Sequence, residues 1–353
     1  MGYQPSISQP HTYQTARPAV NHEFLYNGAV KIIKPQRLNK GDTIGIVASS
    51  LPVLPSFREN YERGKKLIED MGFKIKEGKT IGKTRWWMAG TPKEVAEDIN
   101  SMFADKNIKA IMAQTGGYSA ISVLEHLNYE LITHNPKPFI GMSDMTAYHL
   151  AIFTKTGIVG FHMDDVTFGF GGASGKDQDN SVALDKEFFL KFLTKAEAPG
   201  IIRPLSDWEE WKKGKAEGHL IGGNAHLIVN LAGTEYISPK EDFAGAILFW
   251  EEVGEPLHNT ARYLTQLKYL GILDKISGML IGKIKYIKPA REKDVVEPTA
   301  KEMVLDILKD YDFPIMANLD FGHFTVNIPM PIGIKVSFDT SKKELNFLES
   351  AVV

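Results

Sequence analysis

From about Lys34 onward, short apolar runs alternate with stretches whose apolar residues recur at helical spacing. Thr43–Ser49 (TIGIVAS) is an apolar run closing on small residues, the pattern of a strand buried on both faces of a parallel sheet. Phe57–Met71 carries helical spacing and meets Gly72, a residue suited to the left-handed turn that ends a helix. A strand is expected over Phe73–Ile75. Thr91-Pro92-Lys93-Glu94 reads as a helix start, with Thr91 as N-cap, Pro92 in the first turn and Glu94 closing a capping box. Next come a strand over Ile108–Ala113, the pair Gly116-Gly117, and a helix running through Leu127. A strand at Phe139–Met142 and a helix over Thr146–Thr156, stopped by Gly157, complete this part. Strands alternating with helices predict an α/β domain on a parallel, Rossmann-like sheet.

The pattern changes between about Gly169 and Gly218. Gly169–Gly175 is a glycine-rich bend, and Asp207–Lys215 is polar with two tryptophans. In the second half Gly222-Gly223-Asn224 opens a short helix. Strands are expected at Ala246–Trp250, Met279–Gly282, Pro314–Ala317, Ile334–Phe338 and Glu344–Leu348, with helices over Asn259–Leu270 and Ala300–Tyr311. The expected layout is an N-terminal arm (1–30), an α/β domain (31–175), a crossover with a Trp-bearing insertion (176–218) and a smaller mixed α/β domain (219–353).

A chain of 353 residues suits two domains, and 43% apolar with 24% charged residues excludes wholesale disorder. The 41 basic and 43 acidic residues leave a net charge of −2, which argues against nucleic acid or an anionic membrane as partner. Cysteine is absent, so disulfides, thiolate metal sites and a cysteine nucleophile are excluded. Covalent catalysis would have to use an oxygen or a lysine. With no long apolar span and no signal-peptide pattern, the expected location is the cytoplasm.

Candidate chemistry begins at Pro138–Thr146 (PFIGMSDMT), where a strand runs into Ser143 and a helix starts at once. That is the outline of a nucleophile elbow, although Met145 stands where the second glycine of G-x-S-x-G belongs. The other reading makes Ser143 or Asp144 an ordinary N-cap. Gly116-Gly117 ends the preceding strand on the same rim, either as a plain turn or as backbone that approaches a ligand. Of the ten histidines, His323 follows a strand and Gly322, which frees the backbone to present the ring. His149, on the helix after Ser143, reads as a packing or capping residue. His162 beside Asp164 and Asp165 lacks the spacing of a metal site. Glu251 ends the strongest strand of the second half, either as a solvated strand end that caps the next helix or as the orienting acid, in which case the chain order Ser143, Glu251, His323 matches that of α/β serine hydrolases. Gly169–Lys176 (GFGGASGK) fails as a P-loop and Thr43–Ser49 does not lead into G-x-G-x-x-G, which rejects ATPase and NAD readings.

Together KPQRLNKGDTIGIVASS, QTGGYSA, PFIGMSDMTAYH, LIGGNAHLI, ILFWEEVGEP, FPIMANLDFGH and IPMPIGIKVSF, in this order, resemble the LD-carboxypeptidase family of serine peptidases, which includes the microcin C immunity proteins. The resemblance runs from about Lys34 to Glu349. It implies a Ser143–Glu251–His323 triad and an oxyanion hole from the backbone of Gly117, Asp144 and Gly116. It also implies no metal, no cofactor, a homodimer, and a triad at the interface of two domains. Muropeptide-cleaving members usually carry Arg before the glycine pair and Gly after the following Tyr, where this chain has Thr115 and Ser119. The Trp-bearing insertion is more similar to the immunity-protein branch, in which an aromatic stacks on a nucleobase. Trp208 or Trp211 would take that role, worth about 1–3 kcal/mol, with Tyr118 as a further substrate contact. Packing at the domain interface is the alternative for either tryptophan. The expected function is hydrolysis of a carboxamide in a peptidyl- or aminoacyl-nucleotide. Release of a terminal D-amino acid from a cell-wall tetrapeptide is the alternative, and a non-catalytic binding protein on the same fold a third.

Overall fold

The computed structural model describes residues 25–26, 29–173, 181–238, 241–285, 287–289, 294–323 and 326–353. Of the expected arm it describes only the antiparallel pair Leu25–Tyr26 and Ala29–Val30. Residues 174–175 of the glycine-rich bend lie outside the described residues.

The first sheet follows the apolar runs. Its parallel strands are β1 (Thr43–Val47), β2 (Lys74–Glu77), β3 (Ile108–Ala113), β4 (Phe139–Gly141) and β5 (Phe161–His162), in spatial order β5-β4-β3-β1-β2. Between them run α1 (Arg58–Asp70), α2 (Pro92–Ala104) and α3 (Met145–Thr156). The Thr91–Glu94 capping box forms, with Thr91 N bonded to Glu94 Oε2 at 2.8 Å and Glu94 N to Thr91 Oγ1 at 3.2 Å. Gly157 ends α3 at φ +74. The helix expected through Leu127 is instead broken into Ala120–Val123 and a 3₁₀ turn at Leu124–His126. Asn128 then caps a separate helix, Tyr129–Thr133, its side chain accepting from Leu131 N.

The stretch 176–218, expected as a crossover, contributes secondary structure to a second sheet. After α4 (Ser181–Leu193) come β6 (Gly200–Ile202), β7 (Glu209–Lys212) and β8 (Lys215–Asn224). The rest is α5 (Ala225–Asn230), β9 (Ile247–Val253), α6 (Leu257–Tyr269), β10 (Gly278–Lys285), α7 (Ala300–Ile307) and β11 (Ile315–Leu319). Three short strands close the chain: β12 (Met330–Pro331), β13 (Lys335–Asp339) and β14 (Glu344–Phe347). The second sheet has the order β6-β14-β13-β8-β9-β10-β11-β7, with β8 to β11 parallel. β7 and β6 are its two edges, and an edge strand with one wet face reads in sequence like a polar linker.

The halves interpenetrate. β12, from the second half, pairs antiparallel with β5 and completes the first sheet. All of α3 except Thr154 and Lys155 is buried, which places this helix in the middle of the molecule. Where it meets β8, Gly223 has φ +140, and a Cβ there would lie 2.4 Å from Thr146 Oγ1. The same hydroxyl accepts from Asn224 N at 2.9 Å.

Two buried histidines make stability pH-dependent. Burial pushes His149 down to about 3 and His162 down to about 4, from an ordinary value near 6.5. Both stay neutral when folded but take protons when unfolded, so their contribution is complete above about pH 6.5 and is lost toward pH 4. Asp165 and Glu252, raised by burial to about 6 and about 7, act with the opposite sign in the same range. The difference between wild type and His149→Leu therefore isolates the effect. Urea midpoints at pH 7.5 and 4.5 are expected to fall less in the variant, and equal falls would refute this.

Candidate active site

Ser143 sits between β4 and α3 with φ +62, a left-handed conformation that residues other than glycine seldom adopt. The turn is tight: Met145 N bonds to Met142 O at 3.2 Å and Thr146 N to Ser143 O at 2.9 Å. No side chain caps α3 at this end, so the N-cap reading does not describe the turn. What remains is a strained strand-to-helix turn that projects the serine from the sheet edge.

Gly116 packs against this turn, and Gly117 against the neighbouring Ser50–Leu51 segment. A Cβ on Gly116 would lie 2.9 Å from Ser143 Cβ, and one on Gly117 2.2 Å from Ser50 Oγ. The Asp144 side chain fastens the two loops, accepting from Ser50 Oγ at 2.6 Å and from Ser119 N and Ala120 N at 2.9 Å. Burial pushes this carboxyl above its ordinary range, against the pull of those donors. Among the described residues the Gly117 and Asp144 backbone N–H groups have no acceptor, so both remain available to a ligand oxygen.

His323 follows Gly322, whose φ is +108 and whose missing Cβ would meet Glu251 Cβ at 3.0 Å. Only glycine lets the turn come down onto Glu251, and there His323 Nδ1 lies 2.6 Å from Glu251 Oε2. Glu251 is fully buried on β9, where the register against β10 shifts between Trp250 and Glu252. Asn224 Nδ2 donates to Glu251 Oε1 at 3.2 Å and to Glu252 Oε1 at 3.3 Å. Burial alone would push Glu251 up, but the His323 charge and hydrogen bond outweigh it and hold the carboxyl below its ordinary range. Burial would likewise push His323 down, and Glu251 outweighs that and raises it. Burial and the neighbouring Glu251 push Glu252 up to about 7.

Ser143, His323, Gly116 and Gly117 line one cleft of about 380 Å³, with Tyr118, Asp164, Asp165, Glu255 and Lys288 among the other lining residues. A hydroxyl, an imidazole backed by a buried carboxylate, and the Gly117 N–H thus line one space, with the Asp144 N–H in the turn next to Ser143; these are parts suited to acyl transfer.

The LD-carboxypeptidase N-terminal domain family matches residues 44–163, and the LD-carboxypeptidase C-terminal domain family matches residues 217–338. The probable murein peptide carboxypeptidase of Bacillus subtilis is 30% identical over 88% of this chain and 92% of its own length. This chain belongs to the LD-carboxypeptidase family. The microcin C7 self-immunity protein MccF of Escherichia coli is 29% identical, over 88% of this chain and 94% of its own. The solved structure of MccF in complex with aspartyl sulfamoyl adenosine matches with a TM-score of 0.82 and 29% identity, covering 91% of this chain and all of that one. A muramoyltetrapeptide carboxypeptidase from Oxalobacter formigenes, 22% identical with a TM-score of 0.74, shares the fold. As a member of this family the protein is a serine-type carboxypeptidase hydrolase.

In this LD-carboxypeptidase the tryptophans expected at the substrate are not among the cleft-lining residues. Trp208 is buried, with Nε1 donating to Asp320 Oδ2 at 2.6 Å. Trp211 is half-buried on edge strand β7, with Nε1 donating to Glu209 Oε2 at 2.8 Å. Neither lines the cleft, so packing is the reading that fits both; only Tyr118, 77% exposed, stands at the cleft. Sequence reasoning passed over Asn224, whose side chain also accepts from Leu227 N and so looks like a plain N-cap. It passed over Ser50 and Lys288 as well, which reach the site only through long-range pairing.

Proposed function

We propose that this LD-carboxypeptidase hydrolyses a carboxamide through an acyl-enzyme on Ser143. The reading rests on one observation above all: strained Ser143 shares a cleft with His323, whose Nδ1 is held 2.6 Å from buried Glu251. With Nδ1 held by Glu251, the proton-transfer role is assigned to Nε2. Nε2 takes the Ser143 proton as the oxygen attacks the carbonyl carbon, and the Gly117 and Asp144 N–H groups, with Gly116 beside them, receive the oxyanion. Imidazolium, stabilised by Glu251, then gives its proton to the leaving amine. Water adds to the ester, passes a proton to Nε2, and Ser143 recovers it on release.

A peptidyl- or aminoacyl-nucleotide is the substrate best supported, since MccF structures carry aspartyl sulfamoyl adenosine and glutamyl sulfamoyl guanosine. Relatives named as a probable murein peptide carboxypeptidase and a murein tetrapeptide carboxypeptidase support a second reading, removal of the terminal D-amino acid from a murein tetrapeptide. A fluorophosphonate probe should label Ser143 of the folded protein; absence of labelling would overturn the serine mechanism. Purified protein offered both substrates should turn over the aminoacyl nucleotide, and hydrolysis of the tetrapeptide alone would establish the second reading instead.

A further inference from the structure

The charged residues around the cleft are unevenly matched. Asp164, Asp165 and Glu255 line it against a single Lys or Arg among the described lining residues, Lys288. The carboxylates are engaged by the protein itself. Asp165 accepts from Phe168 N at 2.7 Å and from Thr115 Oγ1 at 3.1 Å. Asp164 accepts from Asn327 Nδ2 at 3.1 Å, and Glu255 from Asn259 Nδ2 at 2.6 Å. Lys288, by contrast, makes no ion pair and no side-chain hydrogen bond among the described residues. Nearby Lys283 shows the usual arrangement, donating to Ser206 Oγ at 2.6 Å and lying 3.6 Å from Asp320.

Backbone pairing fixes where Lys288 stands. It bridges in parallel to Pro256, and its N–H donates to Glu255 O at 3.4 Å. This continues the β9–β10 pairing beyond both strand ends, so Lys288 is carried beside Val253, Gly254 and Glu255, which line the same cleft. An anion entering a space lined by three carboxylates is repelled unless a cation meets it.

We propose that Lys288 recognises an anionic end of the substrate, a carboxylate or a phosphate. An ammonium on a flexible stem accepts either oxyanion as a point charge. The inference deepens the proposed function and rests on that reading for the cleft being the substrate site. It adds the residue that makes the cleft selective for an acid over its neutral counterpart.

Two ligand pairs test it, each measured by calorimetry in Ser143→Ala protein so that nothing turns over: adenosine monophosphate against adenosine, and a tetrapeptide ending in D-alanine against its C-terminal carboxamide. The anionic member of at least one pair is expected to bind about 10–100-fold more tightly, the range of a charge-assisted contact. Which pair shows the preference identifies the source of the anion. Lys288→Ala should remove the preference and leave the neutral member unchanged, and Lys288→Arg should keep most of it. Absence of preference in both pairs, or its survival in Lys288→Ala, overturns the assignment. Fluorophosphonate labelling is independent of Lys288, so a preserved anion preference without labelling would count against the serine mechanism alone.

Discussion

Ser143→Ala is expected to lower kcat/KM by about 10⁴–10⁶-fold, the scale on which loss of a serine nucleophile is felt when the oxyanion donors survive. The fold should survive too, because the turn is held by backbone bonds from Met145 and Thr146 and by the Asp144 carboxylate, none of which uses the hydroxyl. Ser143→Gly separates chemistry from strain. It should be equally inactive yet more stable than Ser143→Ala by about 1 kcal/mol, since glycine accepts φ +62 without the Cβ penalty. Thermal melts of the two variants read that difference. A glycine variant no more stable than the alanine variant would mean the turn carries no strain, and wild-type turnover by either would remove Ser143 from the mechanism.

Glu251→Gln should cost about 10⁴-fold in kcat, because an amide no longer fixes the imidazole tautomer or supports its positive charge. It should also move the pH profile. In wild type Glu251 raises His323, so on the proposed mechanism, in which neutral imidazole is the base, activity is expected to climb with pH through a value above 6.5. With the carboxylate gone, burial pushes His323 the other way, and the ascending limb should shift to lower pH. The sign is diagnostic: a lost carboxylate that only loosened packing would lower the rate without moving the limb. A kcat/KM profile from pH 5 to 9 distinguishes the two.

Much of this was legible in the chain because local signals and long-range structure agree there. The strand at Ile108–Ala113 has the bounds its apolar run predicts, and the Thr91–Glu94 box caps the helix it announces. Ser143 and His323 were singled out by what precedes them, a buried strand in one case and Gly322 in the other, and the structure brings both to one cleft. What stayed hidden depends on partners distant in sequence. Glu209–Lys212 became a strand by pairing with Ile315–Leu319, and Trp208 became core by reaching Asp320. Asn224 carries an N-cap's signature and a second task, holding two glutamates, that no neighbour in sequence reveals. Lys288 stands in a polar stretch without periodicity and acquires its place only from a bridge to Pro256.

The return of Met330–Pro331 to pair with Phe161–His162 bears on how such a chain can be divided. Cutting it between the two matched family segments would leave the first sheet without its last strand and bare the unpaired edge at Phe161–His162. The same cut would separate Thr146 from Asn224, and with it the helix that follows Ser143 from the carboxylate that Asn224 holds. Neither segment is a transplantable module: grafting, permutation or fragment complementation has to treat the pair as one indivisible unit.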